Sequence, residues 1–244
     1  MKQNFFDELD KDWGDLISDI YNKNIVTLEP DSRGVLLINN KSCEKLKNAK
    51  HLVIAEGTRI IERDEWYKDI HLLNNIKTIK FPSTLRIINK LTFARLDNLH
   101  SIEFNGEMGT IGIYSFSKCK NLKKIKFNGT VEYIEGGTFE NCDITGDLVL
   151  PDGLRTIGIY AFINNKNLTS IKLPDGLRTI KHRAFAQCYS LSGDLVIPKS
   201  VTAISDAAFE NCNNIKRIFV KEKSISKWED DSWNLNCNAE IVYY

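Results

Sequence analysis

Apolar and polar positions alternate along this chain in a phrase that returns at a fixed interval. Its clearest copy is Leu168 to Ser190, LTSIKLPDGLRTIKHRAFAQCYS. The pattern is Leu-x-x-Ile-x-Leu-Pro-Asp-Gly-Leu-x-x-Ile, then Ala-Phe, then Cys three residues after the Phe. Other copies start at Ile76, Leu99, Leu122, Ile144 and Leu191. Their anchoring aromatics are Phe93, Phe116, Phe139, Phe162, Phe185 and Phe209, spaced 23, 23, 23, 23 and 24 residues apart. A constant period in that range is the signature of a solenoid.

Each coil follows the same physical logic. In Leu-x-x-Ile-x-Leu the Ile and the final Leu turn inwards while the intervening residues face out, the period-two pattern of a strand. Pro-Asp-Gly or Asn-Gly then turns the chain. Leu177 to Ile180 predicts a second, shorter piece, extended or 3-10, and the stretch around Phe185 predicts a short helical turn that carries the ring inwards. One coil cannot bury its own Leu, Ile and Phe. Stacking coils about 4.8 Å apart lets strand pair with strand and completes the core. The Phe side chains then form a spine, each contributing about 1.5–3 kcal/mol when fully buried.

The ends depart from the phrase. In residues 3–22, Phe6, Leu9, Trp13, Leu16, Ile17 and Ile20 share one face at three- and four-residue steps, with acids on the others. They predict an amphipathic helix that covers the first coil, or else docks on a partner. Ile25–Leu28 and Val35–Ile38 are expected to be short strands. The first recognisable coil runs from His51, with Trp66 in the Phe position and extra residues following it within YKDIHLLNN. After Phe219 the pattern decays into a segment holding Trp228, Trp233 and a last strand at Ile241–Tyr243. The expected division is an N-terminal cap over 1–50, repeats over 51–220 and a C-terminal cap over 221–244.

The phrase Leu-x-x-Ile-x-Leu-Pro-x-x-Leu-x-x-Ile-x-x-x-Ala-Phe-x-x-Cys resembles the BspA-like class of leucine-rich repeats. LSGDLVIPKSVTAISDAAFENCNN and ITGDLVLPDGLRTIGIYAF carry the resemblance most closely. It covers about residues 51 to 220. It implies a right-handed curved solenoid with a parallel sheet on its concave face, of bacterial or protozoan type. Many members are surface proteins that bind host or partner proteins. This chain shows no secretory signal, since acids interrupt every apolar pair near Met1, and no wall anchor. An intracellular location is therefore the expectation, with a surface adhesin as an alternative.

Composition narrows the chemistry. Net charge is +1 over 244 residues, so the whole chain is not an electrostatic glove for nucleic acid. Four of the six cysteines, Cys119, Cys142, Cys188 and Cys212, share one repeat position and are expected to point into the core as free thiols. There is no C-x-x-C pair, G-x-S-x-G, H-E-x-x-H, G-x-G-x-x-G or phosphate-binding loop. No catalytic residue, metal or cofactor is assigned, and the expected role is a non-enzymatic scaffold for a protein partner.

The candidate surface comes from the outward positions of the first strand. The residue between its inward positions is Val53, Lys80, Glu103, Lys126, Val149, Lys172, Val196 and Phe219 in successive coils. The residue before the inward Ile is His51, Thr78, Ser101, Lys124, Asp147, Ser170, Asp194 and Arg217. Lys80, Lys124, Lys126 and Lys172 make a basic stretch, and Val149, Val196 and Phe219 an apolar one, together the expected partner-binding site. An alternative basic face for nucleic acid or an acidic ligand is Arg59, Arg86, Arg155 and Arg178, broken by Gly109, Glu132 and Thr202. It offers few aromatics to stack on bases, so nucleic acid is the lesser reading.

Overall fold

The computed structural model describes residues 24–64, 73–221, 230–234 and 236–244. The expected helix over 3–22, Trp66 and Trp228 lie outside the described residues.

Each coil contributes two strands to two different parallel sheets. The first strands are β1 (Ile25–Leu28), β3 (His51–Ile54), β5 (Thr78–Lys80), β7 (Ser101–Phe104), β9 (Lys124–Phe127), β11 (Gly146–Val149), β13 (Leu168–Lys172), β15 (Ser192–Val196), β17 (Asn214–Val220) and β18 (Glu240–Tyr243). The second strands are β2 (Val35–Ile38), β4 (Ile60–Arg63), β6 (Ile87–Ile88), β8 (Glu107–Ile111), β10 (Thr130–Ile134), β12 (Thr156–Ile157), β14 (Thr179–Ile180) and β16 (Ala203–Ile204). The second set forms an unbroken eight-stranded sheet from β2 to β16. The sequence predicted one parallel sheet and left the second piece open. The structure makes that piece a sheet of its own, because each Thr-Ile or Ile-Ile pair meets its counterpart one coil on, as Thr156–Ile157 meets Thr179–Ile180.

The first strands pair in three groups, β1-β3-β5-β7-β9, β11-β13 and β15-β17-β18. Bulges mark the strands that open the later groups. Pairing slips between Gly146 and Asp147 in β11 and between Gly193 and Asp194 in β15. In those coils the two apolar anchors are four positions apart, Ile144 to Leu148 and Leu191 to Leu195, where Leu168 and Ile171 are three apart. The extra residue is a glycine at φ +72° or +78°, a backbone state in which glycine carries no side-chain penalty. The surplus at Gly193 is why Phe185 and Phe209 are 24 apart. At Gly146 it is offset by a shorter link between Phe139 and Ile144.

The segment that carries Phe is not the helical turn the sequence predicted. The residues two before and two after the Phe have positive φ, as at Leu91 and Arg95, Tyr114 and Lys118, Tyr160 and Asn164, and Arg183 and Gln187. That conformation costs a non-glycine residue about 1–2 kcal/mol. Here it aims alternate N–H groups at the next coil. Tyr160 N, Phe162 N and Asn164 N donate to the carbonyls of His182, Ala184 and Ala186 at 3.0, 2.8 and 2.9 Å. The corner becomes a third line of inter-coil hydrogen bonds. The first described coil differs. There α1 (Asn40–Leu46), with a capping box between Asn39 and Ser42 at its start, replaces the corner and buries Cys43 and Leu46.

The core matches the repeat. Phe93, Phe116, Phe139, Phe162, Phe185 and Phe209 are all fully buried. Their rings stack with centroids 5.2–5.5 Å apart. Trp233 closes the spine edge-on to Phe209 at 6.1 Å. A second stack, Phe81–Phe104–Phe127, fills three coils behind it. The in-phase thiols form their own column, in which Cys119, Cys142, Cys188 and Cys212 donate to the carbonyls of Phe93, Phe116, Phe162 and Phe185. Asn165 takes the Cys position in its coil. It is fully buried and fully engaged, donating to the carbonyls of Phe139 and Phe162 and accepting from Ile144 N.

Candidate functional site

Backbone register fixes the outward rows of the first sheet. Val53, Lys80, Glu103 and Lys126 stand in line, as do Val149 and Lys172, and Val196, Phe219 and Val242. The neighbouring row is His51, Thr78, Ser101 and Lys124, then Asp147 and Ser170, then Asp194, Arg217 and Glu240. The candidate residues therefore share one face. Their exposure differs. Lys124, Lys126 and Lys172 are exposed and Lys80 is half-buried. Glu103 is buried, its carboxylate accepting from Asn128 Nδ2 at 2.5 Å.

The apolar end is open to solvent. Val149 and Val196 are 58% and 55% exposed, unusual for valine in a sheet. Phe219 is half-buried, with the Arg217 guanidinium 5.3 Å from its ring centroid. Arg217 also pairs with Asp194, and each holds the other in its charged form, Asp194 below and Arg217 above its usual range. Asp147 accepts from Ser170 at 2.5 Å. The carboxylates Asp147 and Asp194 beside the valines are thus committed to neighbours on their own row, leaving Val149, Val196 and the part of Phe219 that Arg217 does not cover as the apolar contact area.

The alternative basic face runs along the second sheet. Backbone bonds stack Arg86 on Arg59, and Arg178 on Arg155. All four are exposed. Glu132 divides them and reaches Arg155 at 3.7 Å, while Arg86 donates to the carbonyls of Ser83 and Leu85. The positive charge there is interrupted and partly spent.

Two features escaped sequence reasoning. One is an apolar line at the third corner, Leu91, Ile113, Tyr114 and Ile159, exposed just ahead of the buried Phe. The other is a basic line at the corner that precedes the first strand. Lys77 N donates to Lys50 O at 2.6 Å, His100 N to Lys77 O at 2.7 Å and Lys123 N to His100 O at 2.9 Å. The signal was available as the residue directly after the first Leu or Ile of each phrase. Strand parity alone assigns that position inwards.

No reactive constellation assembles among the described residues. A broad groove on the second sheet is lined by Glu62, Arg63, Asn89, Lys90, Thr110 and Glu135 among others, with no histidine, cysteine or serine among its described lining. No group of three metal-ligating side chains occurs among the described residues. Burial pushes the thiols of Cys119 and Cys188 up to about 12. They stay protonated at neutral pH, and a thiol is a poor nucleophile. No helix among the described residues is long and apolar enough to cross a membrane.

The repeat matches a known family model. Residues 37–146 and 145–243 match the BspA type leucine rich repeat region, in six copies. No curated protein matches the chain. Among solved structures, a leucine rich cell surface protein from Faecalibacterium prausnitzii aligns at 16% identity and a TM-score of 0.41, covering 91% of each chain. A leucine rich repeat protein from T. pallidum aligns at 18% identity and 0.48, covering 80% of this chain and 84% of that one. The pneumococcal vaccine antigen PcpA aligns at 17% identity and 0.39, covering 89% and 82%.

Proposed function

The chain belongs to the BspA type leucine-rich-repeat family, and from that premise we propose that it is a non-enzymatic scaffold that binds a protein partner across the first sheet. The observation that carries the reading is the exposed Val149 and Val196 and the half-buried Phe219 on one outward row, beside charges that already satisfy one another. Strand residues held by neighbouring coils lose little entropy when they meet a partner. Desolvating two valines and the open face of a phenylalanine then supplies affinity, with Phe219 the largest apolar contributor. Lys80, Lys124, Lys126 and Lys172 raise the encounter rate with an acidic surface.

Surface adhesion through the same sheet is the alternative reading. The test uses the partner recovered by pull-down from the source cell. Phe219→Ser and Lys126→Glu are each expected to weaken its binding without moving the melting temperature, Phe219→Ser through faster dissociation and Lys126→Glu through slower association. Unchanged binding in both variants would remove the first sheet from consideration. Recovery of nucleic acid instead, lost steeply with added salt, would favour the Arg59, Arg86, Arg155 and Arg178 face.

A further inference from the structure

The break between β9 and β11 also divides charge. On the β1-to-β9 part of the first sheet, the outward rows and the corner before them carry six lysines, Lys50, Lys77, Lys80, Lys123, Lys124 and Lys126, against one carboxylate, the buried Glu103. Beyond the break, Asp147, Asp194 and Glu240 balance Lys172, Lys216 and Arg217. These rows and the corner before them are therefore basic ahead of the break and balanced beyond it.

We propose that this basic half, centred on the line Lys77–His100–Lys123, docks an extended acidic segment of the partner protein, and that His100 makes the docking stronger as pH falls. This rests on the first sheet being the interaction surface. Four observations carry it. The basic groups follow one another at the coil repeat of about 4.8 Å, a continuous track for a chain of carboxylates. Lys77 and His100 are exposed. One flank of the track holds Asn98 and Asn121, which spend their amides on the carbonyls of Asn74 and Asp97, and the Asp143 carboxylate, whose charge raises the proton affinity of His100. The other flank leads through Lys126 to Val149, so a protein segment continues onto the apolar contact. A nucleic-acid backbone has nothing apolar to place there, and among the described residues no exposed Phe, Tyr or Trp stands on the β1-to-β9 rows to stack on a base.

His100 supplies the pH dependence. Burial, Lys123 and Lys77 hold its imidazole below the usual histidine range, and Asp143 opposes them. These influences favour the neutral imidazole in the free protein. A carboxylate arriving between Lys77 and Lys123 offsets their repulsion and raises its proton affinity. Bound protein then carries more protons than free protein, and affinity rises as pH falls towards the imidazole range.

The probe is a fluorescein-labelled poly-L-glutamate, titrated by anisotropy against the whole chain. Binding is expected at low ionic strength and is expected to tighten between about pH 8 and about pH 6. Lys77→Gln with Lys123→Gln should weaken it about tenfold or more through lost charge complementarity, with the melting curve unchanged. His100→Gln should keep the binding seen at the higher pH and lose the tightening. Arg155→Gln with Arg178→Gln should change nothing. No binding of the probe, or equal loss from the Arg155 and Arg178 pair, overturns the proposal. So does tighter binding of oligo-dT or heparin than of poly-glutamate. If the recovered partner responds to Phe219→Ser while poly-glutamate fails to bind, this inference fails alone. If the partner ignores both Phe219→Ser and Lys126→Glu, the parent reading fails.

Discussion

Phe162→Ala is expected to lower the unfolding free energy by about 3–5 kcal/mol, the range of buried Phe truncations. The ring is fully buried and stacked 5.3 Å from Phe139 and 5.2 Å from Phe185. Removing it withdraws apolar area and opens a cavity that the coils cannot close. Their spacing is fixed by hydrogen bonds at the same residues, Phe139 N to Ala161 O and Phe162 N to Ala184 O, both 2.8 Å. The site therefore relaxes little, and the cost belongs at the upper end of that range. Urea denaturation of the two proteins measures it. A loss below about 1 kcal/mol would show that the spine does not bear the packing assigned to it.

Gly106→Ala is expected to be nearly as damaging, for a different reason. Gly106 lies between β7 and β8 at φ +96°, where any side chain costs about 1–2 kcal/mol. A Cβ there would also collide with the backbone of Ser83 on the preceding coil. Backbone cannot step aside as a side-chain tip can, so overpacking adds about 1–3 kcal/mol. Gly193→Ala separates the two effects. Gly193 has φ +78° but nothing within 4 Å of the added Cβ. Its cost should stop at the conformational part. Equal losses in the two variants would mean that the close approach of coils at Ser83 and Gly106 contributes nothing.

The sequence made the inward half of this molecule legible. Every coil must bury Leu, Ile and Phe against the next, so one period writes itself into Phe93, Phe116, Phe139, Phe162, Phe185 and Phe209, and the same constraint places Cys119 and Cys188 in the core. The two-residue strands of the second sheet were less legible, since a Thr-Ile pair is too short to show a period. The left-handed corners were hidden because Tyr160, Arg183 and Gln187 occupy them in place of glycine, held by bonds to the next coil that no local pattern records. The candidate rows on the first sheet follow from strand alternation and were readable. The Lys77–His100–Lys123 line was not, since it lies at a corner where alternation gives the wrong side. Asn165 shows the converse. A polar residue in a core position is unreadable until the carbonyls of Phe139 and Phe162 are seen beside it.

The most direct test of the first sheet as the interaction surface is site-directed photo-crosslinking to the recovered partner. The native thiols Cys43, Cys119, Cys142, Cys188 and Cys212 are buried and Cys237 is half-buried, so in a Cys237→Ser background a surface thiol introduced by Val149→Cys or Val196→Cys can be labelled selectively. Labels at those two positions are predicted to give partner adducts, and labels introduced through Arg155→Cys or Arg178→Cys to give none. Adducts from the second pair alone would contradict the account and move the binding surface to the second sheet.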